Sequence, residues 1–160
     1  MNEILERDLY LKYPKIFRLE TSRGDQDIFC PLDVGDGWYD LISELCGCIQ
    51  NHIDWKNCEG KYESHKKHRT AEELEKSRVP QVVAGQVKEK FAGLRFYYTG
   101  GDDEISGMIT LAESLSSRIC ETCGSPGRKS GGGWIRTLCK KHAEEEGRKY
   151  GDAEEGSEDG

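Results

Sequence analysis

Four residues toward the C-terminal end have types and spacing suited to metal chemistry. Cys120 and Cys123 are separated by Glu121-Thr122, Cys139 and His142 by Lys140-Lys141, and fifteen residues lie between the pairs. Zinc takes thiolate sulfur and imidazole nitrogen in a tetrahedron, and a Cys3His set leaves no position for a reacting water. The spacing therefore predicts one structural Zn2+, with no catalytic residue assigned. Zinc deaminases place His-x-Glu ahead of Pro-Cys-x-x-Cys; here His142-Ala143-Glu144 follows the cysteines and Ile119 precedes Cys120, so the match fails. Glycines at 35, 37, 100, 101 and 131 to 133 read as turns and caps, because no Gly-Lys-Ser or Gly-Lys-Thr accompanies them. There is no Gly-x-Ser-x-Gly elbow. An enzyme is the least favoured class.

Cys30, Cys46, Cys48, Cys58, His52, His65 and His68 are the pool from which a second metal site would be drawn. Cys48 and His52 stand four apart and would share a helix face, whereas Cys46 and Cys48 lie about 200° apart on a helix, so one ion does not easily take both. The preferred reading buries Cys46 in the core and leaves Cys48 near the surface.

A further set of residues has the chemistry of a nucleic-acid or partner surface. Lys88, Lys90, Arg95 and Tyr97 fall on the outward face of an expected hairpin, and Arg128, Lys129, Trp134, Arg136, Lys140 and Lys141 lie in or beside the metal module. Cations neutralise phosphates, and Trp134 or Tyr97 could stack on a base. The plainer alternative packs Trp134 beside the zinc and leaves the cations solvated.

The elements that must position these groups follow from hydrophobic period. Residues 3–12 read as a short helix with Ile4, Leu5 and Leu11 inward, ended by Pro14, with Ile16 and Phe17 tucked beneath. Thr21 to Gln26 is a polar loop. Asp36 is expected to cap a helix entered through Gly35 and Gly37, with Trp38, Leu41, Ile42, Leu45, Ile49 and Ile53 inward. The polar stretch 54–79 reads as an exposed, mobile insert with a short helix around Thr70 to Ser77. After Pro80 the period becomes two, predicting a β-hairpin that turns near Phe91-Ala92-Gly93, with Val83, Val87, Leu94, Phe96 and Tyr98 on one face. Asp102 and Asp103 open a helix whose stripe is Ile105, Met108, Ile109, Ala112, Leu115 and Ile119, and this helix runs into Cys120. A knuckle at the first ligand pair, a hairpin over Arg128 to Leu138 and a helix starting at the second pair make a treble-clef order.

The fold class expected is thus α+β: amphipathic helices packed on a β-hairpin over 1–119, a treble-clef-like zinc module over 120–150, and an acidic disordered tail over 151–160. Length allows one core of this kind. The net charge of −7 is concentrated, since residues 143–160 hold eight acids against two bases, while 118–142 hold six bases against Glu121. Charges near the N-terminus interrupt any export signal, and no apolar run is long enough to cross a bilayer, so a cytoplasmic protein with reduced thiols is expected and no membrane partner.

Three blocks in this order, Gly-Asp-Gly-Trp-Tyr-Asp-Leu-Ile at 35–42, Val-Lys-Glu-Lys-Phe-Ala-Gly-Leu-Arg-Phe-Tyr at 87–97, and Cys-Glu-Thr-Cys-Gly-Ser-Pro-Gly with Trp134 to Cys139 and His142, resemble a group of uncharacterised bacteriophage and prophage proteins. The resemblance covers about residues 10–142 and departs at Ala92, where a glycine is expected before Gly93. It implies an accessory role in infection, such as binding or inhibiting a host factor. The expected function is therefore a zinc-stabilised accessory protein that binds a host or phage protein; the alternative is a nucleic-acid-binding zinc finger.

Overall fold

The computed structural model of the protein describes residues 1–19, 28–131 and 134–151. The Thr21 to Gln26 loop, Gly132 and Gly133, and the acidic tail beyond Gly151 lie outside these residues.

Helix α1 (Glu3–Lys12) is capped by Asn2, whose side chain accepts the N–H groups of Ile4 and Leu5. Its buried residue is Leu9, while Ile4 and Leu11 are exposed, contrary to the sequence reading. At about 100° per residue those two point well away from Leu9. The choice of face is made by contacts a linear sequence does not display: the Tyr10 hydroxyl donates to the Cys30 carbonyl, and Leu32 N–H donates to Glu6. Helix α2 (Pro14–Phe17) buries Ile16 and Phe17 as expected. Strands β1 (Arg18–Leu19) and β2 (Ile28–Phe29) pair antiparallel, and β3 (Leu32–Asp33) follows.

A 3-10 turn at Asp36–Trp38 opens α3 (Tyr39–Asn57), which buries Ile42, Leu45, Cys46, Ile49, His52 and Ile53. Burying an aliphatic side chain of this size contributes about 1.5–3 kcal/mol, so this stripe is the main support of the core. Asp36 does not cap the helix; its carboxylate accepts from the backbone and side-chain nitrogens of Asn2, each at 2.7 Å, tying α1 to this turn. The helix continues four residues past Ile53 and ends at Cys58, which takes the left-handed conformation with φ 52°.

Residues 54–79 are largely exposed but regular, comprising the end of α3, a 3-10 helix at Gly60–His68 and α4 (Ala71–Lys76). Thr70 and Glu73 form a reciprocal capping box at the start of α4. The excursion is closed by the Asn57 side chain, which bonds both the N–H and the carbonyl of Val79.

Strands β4 (Val83–Lys90) and β5 (Gly93–Thr99) form the expected hairpin, and β3 adds a parallel third strand beside β4. An irregularity between Ala84 and Gln86 shifts the inward position from Val83 to Ala84, so Ala84, Val87, Leu94 and Phe96 are buried. The turn places both Phe91 (φ 53°) and Ala92 (φ 60°) in the left-handed region. Helix α5 (Asp103–Ser116) is capped by Asp102 and buries Ile105, Ile109, Ala112 and Ser116 against α3 and β5. Leu115, expected inward, is exposed. The last part comprises β6 (Arg128–Gly131), β7 (Arg136–Leu138), α6 (Lys140–Glu145) and β8 (Lys149–Tyr150), with β6 central in a three-stranded sheet. The chain is thus a mixed α+β fold with a Cys/His cluster in its C-terminal region.

Candidate metal centre and its seam with the core

The candidate ligands come from three local structures. A tight turn after α5 presents Cys120 and Cys123, closed by Gly124 N–H donating to the Cys120 carbonyl at 2.8 Å. Cys139 precedes α6, and the first turn of that helix presents His142. Their ligand atoms all lie within 4.8 Å of one another. His142 Nδ1 is 3.4 Å from Cys120 Sγ and 3.3 Å from Cys139 Sγ, and Cys123 Sγ is 3.9 Å from Cys139 Sγ. A tetrahedral ion with bonds of about 2.3 Å to sulfur and about 2.0 Å to nitrogen has S···S edges near about 3.8 Å and S···N edges near about 3.5 Å. The donor set and its spacing therefore fit one metal ion.

The surroundings suit thiolates of different exposure. Burial pushes the Cys120 thiol up, against backbone hydrogen bonds from Cys139, Cys123 and Thr122 that favour the thiolate. The Ser125 hydroxyl hydrogen bond is the main cause that lowers the exposed Cys123 to about 6. Apolar burial does little in this module, whose own core consists of Cys120, Leu138 and Ala143 with Cys139 packed beside them. Those side chains contribute a few kcal/mol between them, whereas metal binding in small modules contributes about 10–16 kcal/mol in apparent terms.

The module is seated on the core by the other two sequence blocks. Gly37 N–H donates to the Glu121 carbonyl at 2.8 Å, and the Trp38 indole donates to the Ile119 carbonyl at 2.9 Å. A Cβ on Gly37 would stand 2.1 Å from the Cys120 carbonyl oxygen, and one on Gly35 would stand 2.2 Å from that of Glu121. These glycines serve the knuckle's close approach and not only the helix entry that the sequence predicts. The hairpin tip completes the seat: the buried Thr137 hydroxyl donates to the Ala92 carbonyl at 2.7 Å. Glu89 accepts the Ala92 N–H through Oε1 and the Trp134 indole N–H through Oε2.

The residues read as a nucleic-acid or partner surface divide into two groups. On the outer hairpin face, Lys88 lies over the Tyr97 ring and Lys90 over the Phe91 ring, while Arg95 donates to the Leu94 carbonyl. Arg128 and Lys129 have no side-chain partner among the described residues. By contrast, Arg136 is held by Glu121 at 3.2 Å and Glu146 at 2.6 Å, and Lys140 and Lys141 stand opposite Glu144 and Glu145 one helical turn away. Trp134 does not pack beside the ligands; it is 65% exposed and bonded to Glu89. Burial pushes the Glu121 carboxyl up, opposed by the Arg136 guanidinium.

Of the second-site pool, Cys30, Cys46 and Cys58 are buried and Cys48 is exposed, as preferred for Cys46 and Cys48. Burial pushes the Cys30 thiol up to about 11 and that of Cys46 further still. His65 and His68 are exposed on the 3-10 helix. His52 is grouped with Asp102 and Glu104, not with Cys48, among the described residues. The three are close enough for a metal, but His52 Nε2 meets Asp102 at 2.8 Å and Nδ1 meets Glu104 at 3.6 Å, so the carboxylates address opposite ring nitrogens. Lys56 already pairs with Glu104 at 2.8 Å. The arrangement braces α3 against the start of α5. Fifty residues of separation hid the His52–Asp102 pair from sequence reading.

No described helix is long and apolar enough to cross a membrane. Comparison of the chain with protein-family models, with curated proteins and with solved structures finds no match.

Proposed function

We propose that the protein acts by binding another protein, through a surface held in shape by one structural zinc ion on Cys120, Cys123, Cys139 and His142. Three thiolates and an imidazole favour zinc over harder cations, and four protein donors leave no open position for catalysis. The succession of knuckle, β6–β7 hairpin and α6 is consistent with a treble clef. The resemblance to phage and prophage proteins makes the partner a host or phage protein, met during infection in the host cytoplasm.

The observation that carries the protein-binding reading over nucleic acid is the company of Trp134 and Arg136. Trp134 is bonded to Glu89 and Arg136 to Glu121 and Glu146, so a phosphate approaching this pair meets carboxylates, and among the described residues the unpaired Arg128 and Lys129 lack a stacking partner beside them. The test is affinity capture with the full zinc-loaded chain from infected cells, with and without nuclease. A protein retained after nuclease treatment, and lost with Cys139→Ser, is the expected result. Nucleic-acid binding that falls steeply with salt and weakens when Arg136 and Lys140 are both replaced by alanine would overturn it in favour of the alternative.

A further inference from the structure

A cleft of about 490 Å3 lies at the seam between core and metal module, lined by Asp33, Val34, Gly35, Glu89, Glu121 and Trp134. Its walls come from the end of β3, the end of β4, the knuckle and the approach to β7, so it exists only while the module is seated. Glu121 is more than nine-tenths buried, at 7% exposure, yet only its Oε2 is engaged, by Arg136. Oε1 has no hydrogen-bond partner among the described residues and is not fully buried, and Glu121 is one of the residues lining the cleft. Glu89 is held by two neutral donors, the Ala92 amide and the Trp134 indole, which fix its carboxylate without cancelling its charge. No ion pair reaches Glu89 or Asp33 among the described residues, since Lys88, the register neighbour of Asp33, lies over Tyr97. Beside these oxygens Trp134 exposes 65% of its surface.

We infer that this cleft receives a cationic side chain, a lysine ammonium or an arginine guanidinium, from a protein partner, with the Trp134 ring against the cation and Glu89 and Glu121 as its counter-ions. An aromatic face next to the unpaired Glu89 and Asp33 carboxylates and the free oxygen of Glu121 suits a cation in two ways, through the ring quadrupole and through charge-assisted hydrogen bonds. It repels phosphate for the same reason. The chain beyond Gly151 carries five acids and no base, so it lacks the charge to fill the cleft itself. This inference rests on the protein-binding reading above and names the chemistry its partner presents.

The test follows the three indole N–H resonances of the zinc-loaded full chain while short uncharged peptides with one central residue varied are added. Arginine and lysine peptides should shift the Trp134 signal saturably, the citrulline analogue should not, and the buried Trp38 signal should stay in place. Glu89→Gln, followed on the Trp134 signal, and Trp134→Leu, followed by calorimetric titration with the same peptides, should each weaken arginine- or lysine-peptide binding at least about tenfold, roughly 1.4 kcal/mol. Unchanged zinc content and an unchanged Trp38 resonance show that each variant is folded. The inference is overturned if citrulline binds as well as arginine, if neither variant weakens binding, or if spermidine shifts Trp134 while the peptides do not. A captured protein retained equally by native chain and both variants removes this cleft and leaves the protein-binding reading intact. Failure of the native chain to retain any protein removes that reading itself.

Discussion

The indole of Trp38, fully buried in the core, donates its N–H to the carbonyl of Ile119, the residue immediately before Cys120, the first candidate metal ligand. Eighty-one positions separate the two, and the bond carries the knuckle's position into the centre of the fold. Because Gly37 lies directly under the knuckle, Gly37→Ala should force the two parts apart. We expect a loss of about 1–3 kcal/mol, the range for overpacking, together with weaker metal retention. Gly107→Ala is the contrast: Gly107 is exposed within α5 and a Cβ there meets nothing within 4 Å. That change should stabilise by about 0.5–1 kcal/mol. Chemical denaturation of both variants checks the pair.

Metal analysis of the purified chain should give one zinc per molecule. Removing it with a strong chelator should collapse the spectral dispersion of residues 120–150, whose own apolar core is too small to fold alone, while dispersion from 1–119 largely persists. Cys139→Ser should do the same, and Cys48→Ser, at an exposed position away from the cluster, should change neither metal content nor melting. A metal-free chain with undiminished dispersion in the C-terminal part would remove the zinc staple.

Phe91 holds a left-handed conformation at the first position of a two-residue turn while its side chain is 68% exposed. Left-handed backbone costs an ordinary residue about 1–2 kcal/mol, and asparagine tolerates it better. Phe91→Asn should therefore raise stability by about 1 kcal/mol, read as a higher denaturation midpoint. Ala92 is in the same conformation, which accounts for the glycine expected there from the resemblance; its burial makes Ala92→Gly the weaker stabiliser.

Asp102 supplies a pH-dependent contribution. Burial raises its carboxyl, but hydrogen bonds from His52 and the Ile105 amide, with the charges of His52 and Lys56, together hold it below the ordinary value of 3.8. A lowered folded value means that the ionised form favours folding above the ordinary carboxylate range. The contribution is lost as pH falls through 3.8 and then through the folded value. Asp102→Asn keeps an acceptor for the helix cap and removes the charge, so the gap in denaturation midpoint between native chain and variant should be widest near neutrality. It should close as pH falls below about 4. A gap that persists unchanged at low pH would assign the role of Asp102 to shape alone.

Local period and spacing were enough for much of the framework. Ile42, Leu45, Ile49 and Ile53 recur at helical spacing and are buried; Val87, Leu94 and Phe96 alternate and are buried; and the Cys-x-x-Cys and Cys-x-x-His pairs do converge. Each of these is encoded by residues a few positions apart, within one turn or one strand pair, so the sequence displays it directly. The inward face of α1, the shift at Gly85, the parallel strand β3 and the true work of Gly35 and Gly37 were not legible. In each case the deciding contact lies far along the chain: Tyr10 on Cys30, Leu32 beside Val87, Gly37 under Cys120.

By itself, then, the sequence determined that a Cys3His group would exist and which helices and hairpin would surround it, because ligand type and hydrophobic period are local properties. Only the tertiary structure decided what surface that group supports. Glu89, Glu121 and Trp134 come from separate parts of the chain and are indifferent residues until the seating of the knuckle on Gly37 and of Thr137 on Ala92 brings them to one cleft. The physical reason is that carboxylates and an indole acquire a joint preference for a cation only at contact range, and that range is set by packing between distant segments.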